Sequence, residues 1–183
     1  MEPPPRTAED PPAPPELAGS LVRRVLADLR GNILPFWIEH AVDREAGGFV
    51  GALTDDLEAD PAAERGALLA SRILWTYSAA WARFPDPALR RMADYAYRTL
   101  LERFHDAEHG GFWWSVGPDG SLRDGRKQVY GQAFAVFALS EYAAATGREE
   151  PRNQAWDLFR LLETRARDLR HGGFLEAFGR AWE

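Results

Sequence analysis

Apolar residues recur at helical spacing along most of the chain, and this pattern predicts five helices. Those at roughly 16–38, 86–104 and 152–169 carry one apolar stripe opposite a polar face, which is typical of helices with one buried side. The helices at about 62–84 and 128–146 have apolar residues in nearly every direction around the axis, so we expect them to be buried on all sides. Buried and amphipathic helices therefore alternate along the chain.

Two glycines followed by a phenylalanine occur three times, each time shortly after an aspartate. The copies are Asp43–Phe49, Asp106–Phe112 and Asp168–Phe174, and they recur with a period of about 62 residues. One helical hairpin lies between consecutive copies, and the glycine pair predicts a turn that opens a small β-hairpin over 111–116 and 121–123. The repeating unit is helix, helix, glycine turn.

Paired helices that repeat in this way stack as an open solenoid or close into a ring of inner and outer helices. The apolar inner helices favour the ring, because both helices of a solenoid pair usually keep a solvated edge. Six hairpins would need about 375 residues, so the sequence predicts about half of an all-α ring over residues 16–183. The third glycine turn is followed only by a few residues to Glu183, where the next inner helix is expected to begin. We therefore expect the N-terminal portion of a larger domain, with an exposed apolar edge.

Composition and charge narrow the range of partners. Seven of the 13 prolines fall within residues 1–15, so we expect a solvated, disordered tail there. The net charge is −6 and basic residues are scattered singly, which disfavours nucleic acid as a partner. There is no cysteine, and no apolar run approaches the roughly 20 residues of a membrane span. The N-terminus has no basic, apolar leader, and together these features predict a cytoplasmic protein with no membrane segment.

Arg72 is the first residue with candidate chemistry. It lies in the second predicted helix, with Leu68 and Trp75 among its neighbours one turn away. A buried arginine requires an acceptor or a polar cavity, because burying a lone charge is costly. One interpretation is an ion pair with a carboxylate of a neighbouring helix. The other is an anion site in the centre of the ring, where a fixed cation would stabilise negative charge developing on a substrate oxygen.

Aromatic residues form the second candidate site. Trp113, Trp114 and Tyr130 lie at the predicted junction between a glycine turn and an inner helix, with Gln132 close by. Sugar rings stack on aromatic faces, and amide and phenol groups hydrogen-bond to hydroxyls, so this cluster indicates a carbohydrate pocket at the mouth of the ring. Ordinary core packing is the alternative for each of these residues.

No residue pattern implies a metal or an organic cofactor. His105 and His109 have the spacing of a metal-binding pair on a helix, but the helix is expected to end there and no third ligand is evident. We expect turn packing or helix capping for these two histidines and for His40 and His171. The Gly-Gly-Phe turns lack the spacing and context of a phosphate-binding loop.

Several segments strongly resemble the N-acylglucosamine 2-epimerase family, most closely its cellobiose 2-epimerase branch. They are Ala70–Ala80, which contains Arg-x-Leu-Trp-Thr-Tyr-Ser, and Gly110–Val116, Lys127–Ala135, Ala138–Tyr142 and Gly172–Ala177. The resemblance covers the chain from about residue 20 to its end.

The resemblance implies an (α/α)6 barrel that opens a reducing sugar, removes the proton at C2 and returns it to the opposite face. In the family, an arginine at the position of Arg72 binds the developing oxyanion, and Tyr130 and Trp114 match positions that contact the sugar. The two histidines that act as acid and base would lie beyond Glu183, and none of the four present matches them. The implied reaction is conversion of the reducing-end glucose of a β-1,4-linked disaccharide such as cellobiose to mannose, with the isolated chain inactive.

Two other functions stay open. The chain can be a non-catalytic half-barrel that pairs with a complementary chain or with itself through its exposed apolar edge. A glycoside hydrolase on the same ring would need two facing carboxylates. Glu64 and Glu141 are the inner-helix candidates, and their positions do not predict a facing pair.

Overall fold

A helix with a π-helical interruption forms the first of two units into which the chain divides, the boundary lying at His40. The computed structural model describes residues 15–183. In this first unit, α1 (Pro15–Asp28), a π-helical turn (Leu29–Ile33) and α2 (Leu34–His40) follow one another without a break. The predicted first helix is confirmed in its extent. The proline-rich tail predicted for residues 1–15 lies, apart from Pro15, outside the described residues.

Two helical hairpins build the second unit, which runs from Ala41 to Glu183. Their helices are α3 (Ala67–Arg83), α4 (Pro87–Phe104), α5 (Val129–Thr146) and α6 (Glu149–Arg165). Helices α3 and α5 pack against each other, while α4 covers α3 and α6 covers α5. The predicted alternation of inner and outer helices is therefore confirmed, with small shifts at the helix ends.

Local sequence explains where these helices begin and end. The Asp86 carboxylate accepts a hydrogen bond from the Ala88 amide at 2.7 Å, and Pro87 occupies the first turn of α4, where its missing N–H costs nothing. Helix α5 ends at Gly147, whose left-handed backbone (φ 71°) suits glycine and lets its amide bond to the Ala143 carbonyl.

Short strands connect each glycine turn to the inner helices. The strands β1 (Arg65–Gly66), β2 (Ser115–Val116) and β3 (Leu122–Asp124) form one antiparallel sheet. The strands β4 (Lys127–Gln128) and β5 (Ala177–Phe178) form a second antiparallel pair. In the first sheet Arg65 lies opposite Val116, and in the second Lys127 lies opposite Phe178. Each residue of the second pair occupies the position of its counterpart in the first pair, one repeat later in the sequence. The β-hairpin predicted near 111–123 is thus present in a shorter form, as β2 and β3. The short strands before the inner helices are also part of the repeating unit.

The inner helices are not buried on every side, which corrects the expectation from their composition. In α3, Leu74 and Tyr77 are fully enclosed, but Arg72 is exposed. In α5, Leu139 is enclosed, whereas Tyr130 and Phe137 are 56% and 51% exposed. Within the second unit, each inner helix is covered by its own outer helix and by the other inner helix, and the remaining side is open. Tyr130 and Phe137 lie on this open side, whereas the exposed edge at which a further hairpin would pack stays a prediction.

Candidate functional site

Trp114 occupies the junction between the first turns of the two inner helices. Its carbonyl accepts a hydrogen bond from the amide of Ala67, the first residue of α3, at 3.1 Å. Its indole ring packs on Gly131 of α5, where an added Cβ would lie 3.2 Å from the ring. The chain therefore places Trp114 at the mouth formed by the N-terminal ends of α3 and α5, as the sequence predicts.

Arg72, Phe134 and Tyr130 form a row beside this junction. The guanidinium carbon of Arg72 lies 5.9 Å from the centre of the Phe134 ring, a cation–π distance. The rings of Phe134 and Tyr130 meet at 4.9 Å with an interplanar angle of 63°. Phe134 was not among the residues predicted for the site, although it lies one turn after Tyr130 on the same helix face.

The expectation that Arg72 is buried and needs an acceptor is wrong. The side chain is exposed because it extends from the open side of α3, where water solvates the charge. Within residues 15–183, no carboxylate forms an ion pair with it. A cation held beside the Phe134 ring and not neutralised by a carboxylate of the described residues is suited to binding an oxyanion.

Gln132 holds the glycine turn instead of facing the mouth. Its Oε1 accepts a hydrogen bond from the Phe112 amide at 2.8 Å, and its Nε2 donates to the Phe112 carbonyl at 2.7 Å. The side chain is buried, so the prediction that its amide reaches sugar hydroxyls is wrong. A Cβ on Gly111 would lie 2.8 Å from Oε1, and the residue has φ +73°, so this position requires glycine.

A buried ion pair joins the same turn to the start of α5. The Lys127 Nζ lies 2.7 Å from Asp106 Oδ2, and both side chains are almost completely enclosed. The other carboxylate oxygen accepts the amides of Glu108 and His109, each at 3.1 Å. Burial alone would raise the pKa of Asp106, but these hydrogen bonds and the ammonium hold it well below its usual range. Burial lowers the pKa of Lys127, and Asp106 opposes that shift.

The same ion pair occurs one repeat earlier. Arg65 Nη2 lies 2.6 Å from Asp43 Oδ2, with Arg65 only 4% exposed, and Asp43 Oδ1 accepts two amides of its own turn. Arg65 and Lys127 each stand two residues before an inner helix and occupy the same position of consecutive repeats. Neither ion pair was predicted from the sequence. The detectable signal is a basic residue at a fixed position of the repeat.

The remaining candidates serve the turns around this site. Trp113 is half-buried, with the Arg180 guanidinium carbon 6.0 Å from its ring centre. His105 caps the end of α4 and packs edge-on against Phe112, and the amides of His109 and His171 donate to the aspartates of their turns. No group of three or more His, Asp or Glu suited to a metal ion occurs in residues 15–183. Over the same range, no helix is long and apolar enough to cross a bilayer.

The alternation of inner and outer helices, with an aromatic mouth at the inner-helix N-termini, defines the chain as part of an α/α-barrel protein. The family description N-acylglucosamine 2-epimerase (GlcNAc 2-epimerase) matches residues 47–183, and the chain belongs to this family. The cellobiose 2-epimerase of Bacteroides fragilis is 41% identical over 162 residues, which are 88% of this chain and 41% of that protein. The cellobiose 2-epimerase of Dictyoglomus turgidum is 35% identical over the same shares.

Solved structures agree with this assignment. The structure of cellobiose 2-epimerase from Spirochaeta thermophila is 42% identical with a TM-score of 0.89, and the match covers 94% of this chain and 43% of that one. A D-mannose isomerase structure, 23% identical with a TM-score of 0.73, shares the fold. The predicted (α/α)6 class is therefore confirmed, and the chain spans less than half the length of the relatives it matches.

Proposed function

We propose that residues 16–183 form the N-terminal half of the barrel of a carbohydrate 2-epimerase and supply one wall of its sugar site. The substrate is a β-1,4-linked disaccharide with a free reducing end, such as cellobiose, which the names of two similar relatives support. The observation that carries the proposal is the exposed Arg72 beside Phe134, with Tyr130 and Trp114 at the same mouth. We place the protein in the cytoplasm.

The proposed reaction inverts C2 through a cis-enediolate. The sugar ring opens to the aldehyde, a base removes the C2 proton, and the electron pair moves into a C1–C2 double bond while the aldehyde oxygen becomes an oxyanion. Return of a proton to the opposite face of C2 restores the aldehyde and gives the epimer. Arg72 stabilises the oxyanion, which carries its full charge only after proton removal. Tyr130 and Trp114 hold the sugar against the mouth.

The acid and the base of this reaction are proposed to come from a complementary half of the barrel. Three histidines of the second unit, His105, His109 and His171, belong to helix ends or glycine turns rather than to the mouth. The isolated chain would then bind sugar weakly and would not epimerise it. The complementary half is either further polypeptide or a partner chain.

The positions of the carboxylates favour an epimerase over a glycoside hydrolase. Hydrolysis needs two carboxyl groups roughly 5–10 Å apart across the scissile bond. Glu64 precedes α3 and accepts a hydrogen bond from Ser115 at 2.6 Å. Glu141 lies far along α5, about 18 Å from its first residue at 1.5 Å per residue.

A hybrid enzyme tests this proposal. This chain would replace the matched 162 residues of the Bacteroides fragilis relative, and proton NMR in D2O would follow mannose formation and deuterium uptake at C2 of the reducing glucose of cellobiose. We expect the hybrid to be active and Arg72→Ala to lower its kcat by roughly 100-fold or more. Arg98→Ala, which removes an exposed arginine of the outer helix α4, is the control. A folded hybrid whose activity survives Arg72→Ala contradicts the proposal.

A further inference from the structure

An apolar groove between α5 and α6 is open to solvent. Its volume is about 360 Å³, and its lining includes Val136, Ser140, Ala143, Ala155, Trp156 and Phe159. Trp156 is 55% exposed and Phe159 40% exposed. Large apolar side chains gathered along one groove are typical of an interaction surface.

The repeat shows what covers such a groove, because its counterpart between α3 and α4 is filled. Phe159 corresponds to Tyr97, one repeat earlier, which is only 4% exposed. Helix α5 covers that position: the Tyr142 ring stacks on Tyr97 at 4.6 Å, and its hydroxyl donates to Asp94 at 2.6 Å. An inner helix of the following repeat is therefore the shape that fits this kind of groove.

The third glycine turn is also incomplete relative to the first two. The Asp168 carboxylate accepts the amides of Arg170 and His171, as Asp43 and Asp106 accept amides of their own turns. Asp43 and Asp106 each also bind a buried basic side chain. In the described part of the chain, no lysine or arginine forms an ion pair with Asp168, and the exposed His171 ring is the one side chain that pairs with its carboxylate.

Two further features of the last repeat also lack the partner that their counterparts have. A Cβ on Gly110 would lie 3.1 Å from Leu161, whereas one on Gly172 or Gly173 would meet nothing within 4 Å. Strand β2 has a neighbour on both edges, while β5, its counterpart, pairs only with β4 among residues 15–183. The groove, Asp168, the two glycines and the free edge of β5 all belong to the last repeat, and together they make up its uncovered surface.

We infer that this surface docks a helical hairpin of the same repeat, in which a lysine or arginine two residues before the inner helix forms an ion pair with Asp168. The basic residue would follow Asp168 by 21 or 22 positions in repeat register, because Arg65 follows Asp43 by 22 and Lys127 follows Asp106 by 21. The inference rests on the proposed function, in which a complementary half completes the barrel, and it specifies the ion pair with Asp168 as one contact between the two halves. A second copy of this chain fits less well through α5, because that helix already packs into the α3–α4 hairpin of its own chain.

A fusion protein tests the inference. The next repeat of the Bacteroides fragilis relative, a stretch of about 62 residues after its matched segment, would be joined to the full chain. Lys or Ala would be placed two residues before its inner helix. The solvent exposure of Trp156 is measured by acrylamide quenching of tryptophan fluorescence. Its contribution is the difference between each protein and the same protein carrying Trp156→Phe. Hydrogen exchange of the backbone amides of α5 and α6 gives the equilibrium constant for local opening of these two helices.

We expect Trp156 to become protected in the fusion with Lys, and Asp168→Ala to raise the opening equilibrium constant about tenfold. The same substitution should have little effect when Ala replaces the basic residue, and Asp56→Ala, in an exposed loop, should have none. Trp156 as accessible in the fusion as in the unfused chain overturns the inference, as does an effect of Asp168→Ala that ignores the basic residue. Protection of Trp156 in a dimer of the unfused chain also overturns it, because the groove then belongs to a second copy. These readouts involve no sugar, so they are independent of the epimerase proposal.

Discussion

Lys127 and Asp106 form an ion pair at 2.7 Å that is shut off from solvent and ties the residues before α5 to the turn after α4. Its position relative to the repeat matches that of Arg65 and Asp43. Each pair fixes a glycine turn to the start of an inner helix, which is where the mouth residues lie. The geometry of the candidate site therefore depends on two ion pairs that lie outside the site.

Removing one partner of this pair should be strongly destabilising. Lys127→Met leaves the buried Asp106 carboxylate with only the more distant Arg180 guanidinium, whose Nε lies 3.6 Å away. We expect the free energy of unfolding in urea to fall by about 3–5 kcal/mol. The double variant Lys127→Met with Asp106→Leu should recover much of that loss, because neither charge then remains buried. A double variant as unstable as the sum of its two single variants would show that the two residues do not act as a pair.

The depressed pKa of Asp106 predicts a loss of stability in acid. Because the folded-state pKa lies below the unfolded value of about 3.9, the group stabilises the fold above that value and loses its contribution as the pH falls further. Urea unfolding between pH 7 and pH 2 measures this dependence. Asp106→Asn should flatten the curve below about pH 4; an unchanged slope would place the acid sensitivity in other carboxylates.

The clamp between Gln132 and Phe112 should tolerate no side chain at Gly111. We expect Gly111→Ala to destabilise the chain by roughly 2–4 kcal/mol, combining the positive φ with the collision against Gln132. Gly120→Ala is the matched control, since Gly120 also has positive φ (+81°) but an added Cβ there meets nothing within 4 Å. Its cost in a thermal melt should be limited to about 1 kcal/mol. Equal costs at both positions would rule out the collision.

Tyr130 should contribute to sugar binding without contributing to stability. Its side chain is more than half exposed, so Tyr130→Ala should change the free energy of unfolding by no more than about 0.5 kcal/mol. In the hybrid with the Bacteroides fragilis relative, the loss of one aromatic face should weaken cellobiose binding by roughly 3- to 10-fold, measured by calorimetry. Binding that survives Tyr130→Ala would remove this residue from the proposed site.

Equivalent positions of the two hairpins should respond differently to the same substitution. Tyr97→Ala empties a covered site and should cost about 3 kcal/mol in the isolated chain. Phe159→Ala, at the matching position of the open groove, should cost less than about 1 kcal/mol. Urea denaturation of the two variants makes the comparison, and a large loss for Phe159→Ala would mean that the groove is already filled.

The helices were predictable from the sequence because their apolar spacing is a local signal that burial then reinforces. The glycine turns and the junction at Trp114 were also predictable, since the repeat places each turn directly before an inner helix. The exposure of Arg72 was not predictable in the same way. Its apolar neighbours on α3 describe the composition of the helix, whereas its solvation depends on which side of α3 a second helix covers.

The contacts that hold the site together were harder to foresee. Arg65 and Asp43 lie 22 residues apart, and only the recurrence of both charges at the same positions of the next repeat, as Lys127 and Asp106, indicates that they are partners. Gln132 was assigned to the mouth by its distance along α5 from Tyr130. The structure turns its amide toward the Phe112 backbone, because a buried turn must satisfy its own polar groups first.

Lys127 is the only lysine among the 22 lysine and arginine residues of the sequence, and its amine is buried. All the others are arginines, so no other side chain of the sequence carries a primary amine. Amine-directed reagents and modifying enzymes would then find an ε-amino group only when the Asp106 contact opens. The fraction of molecules acylated at Lys127 thus measures the fraction in which the fold around the mouth has opened.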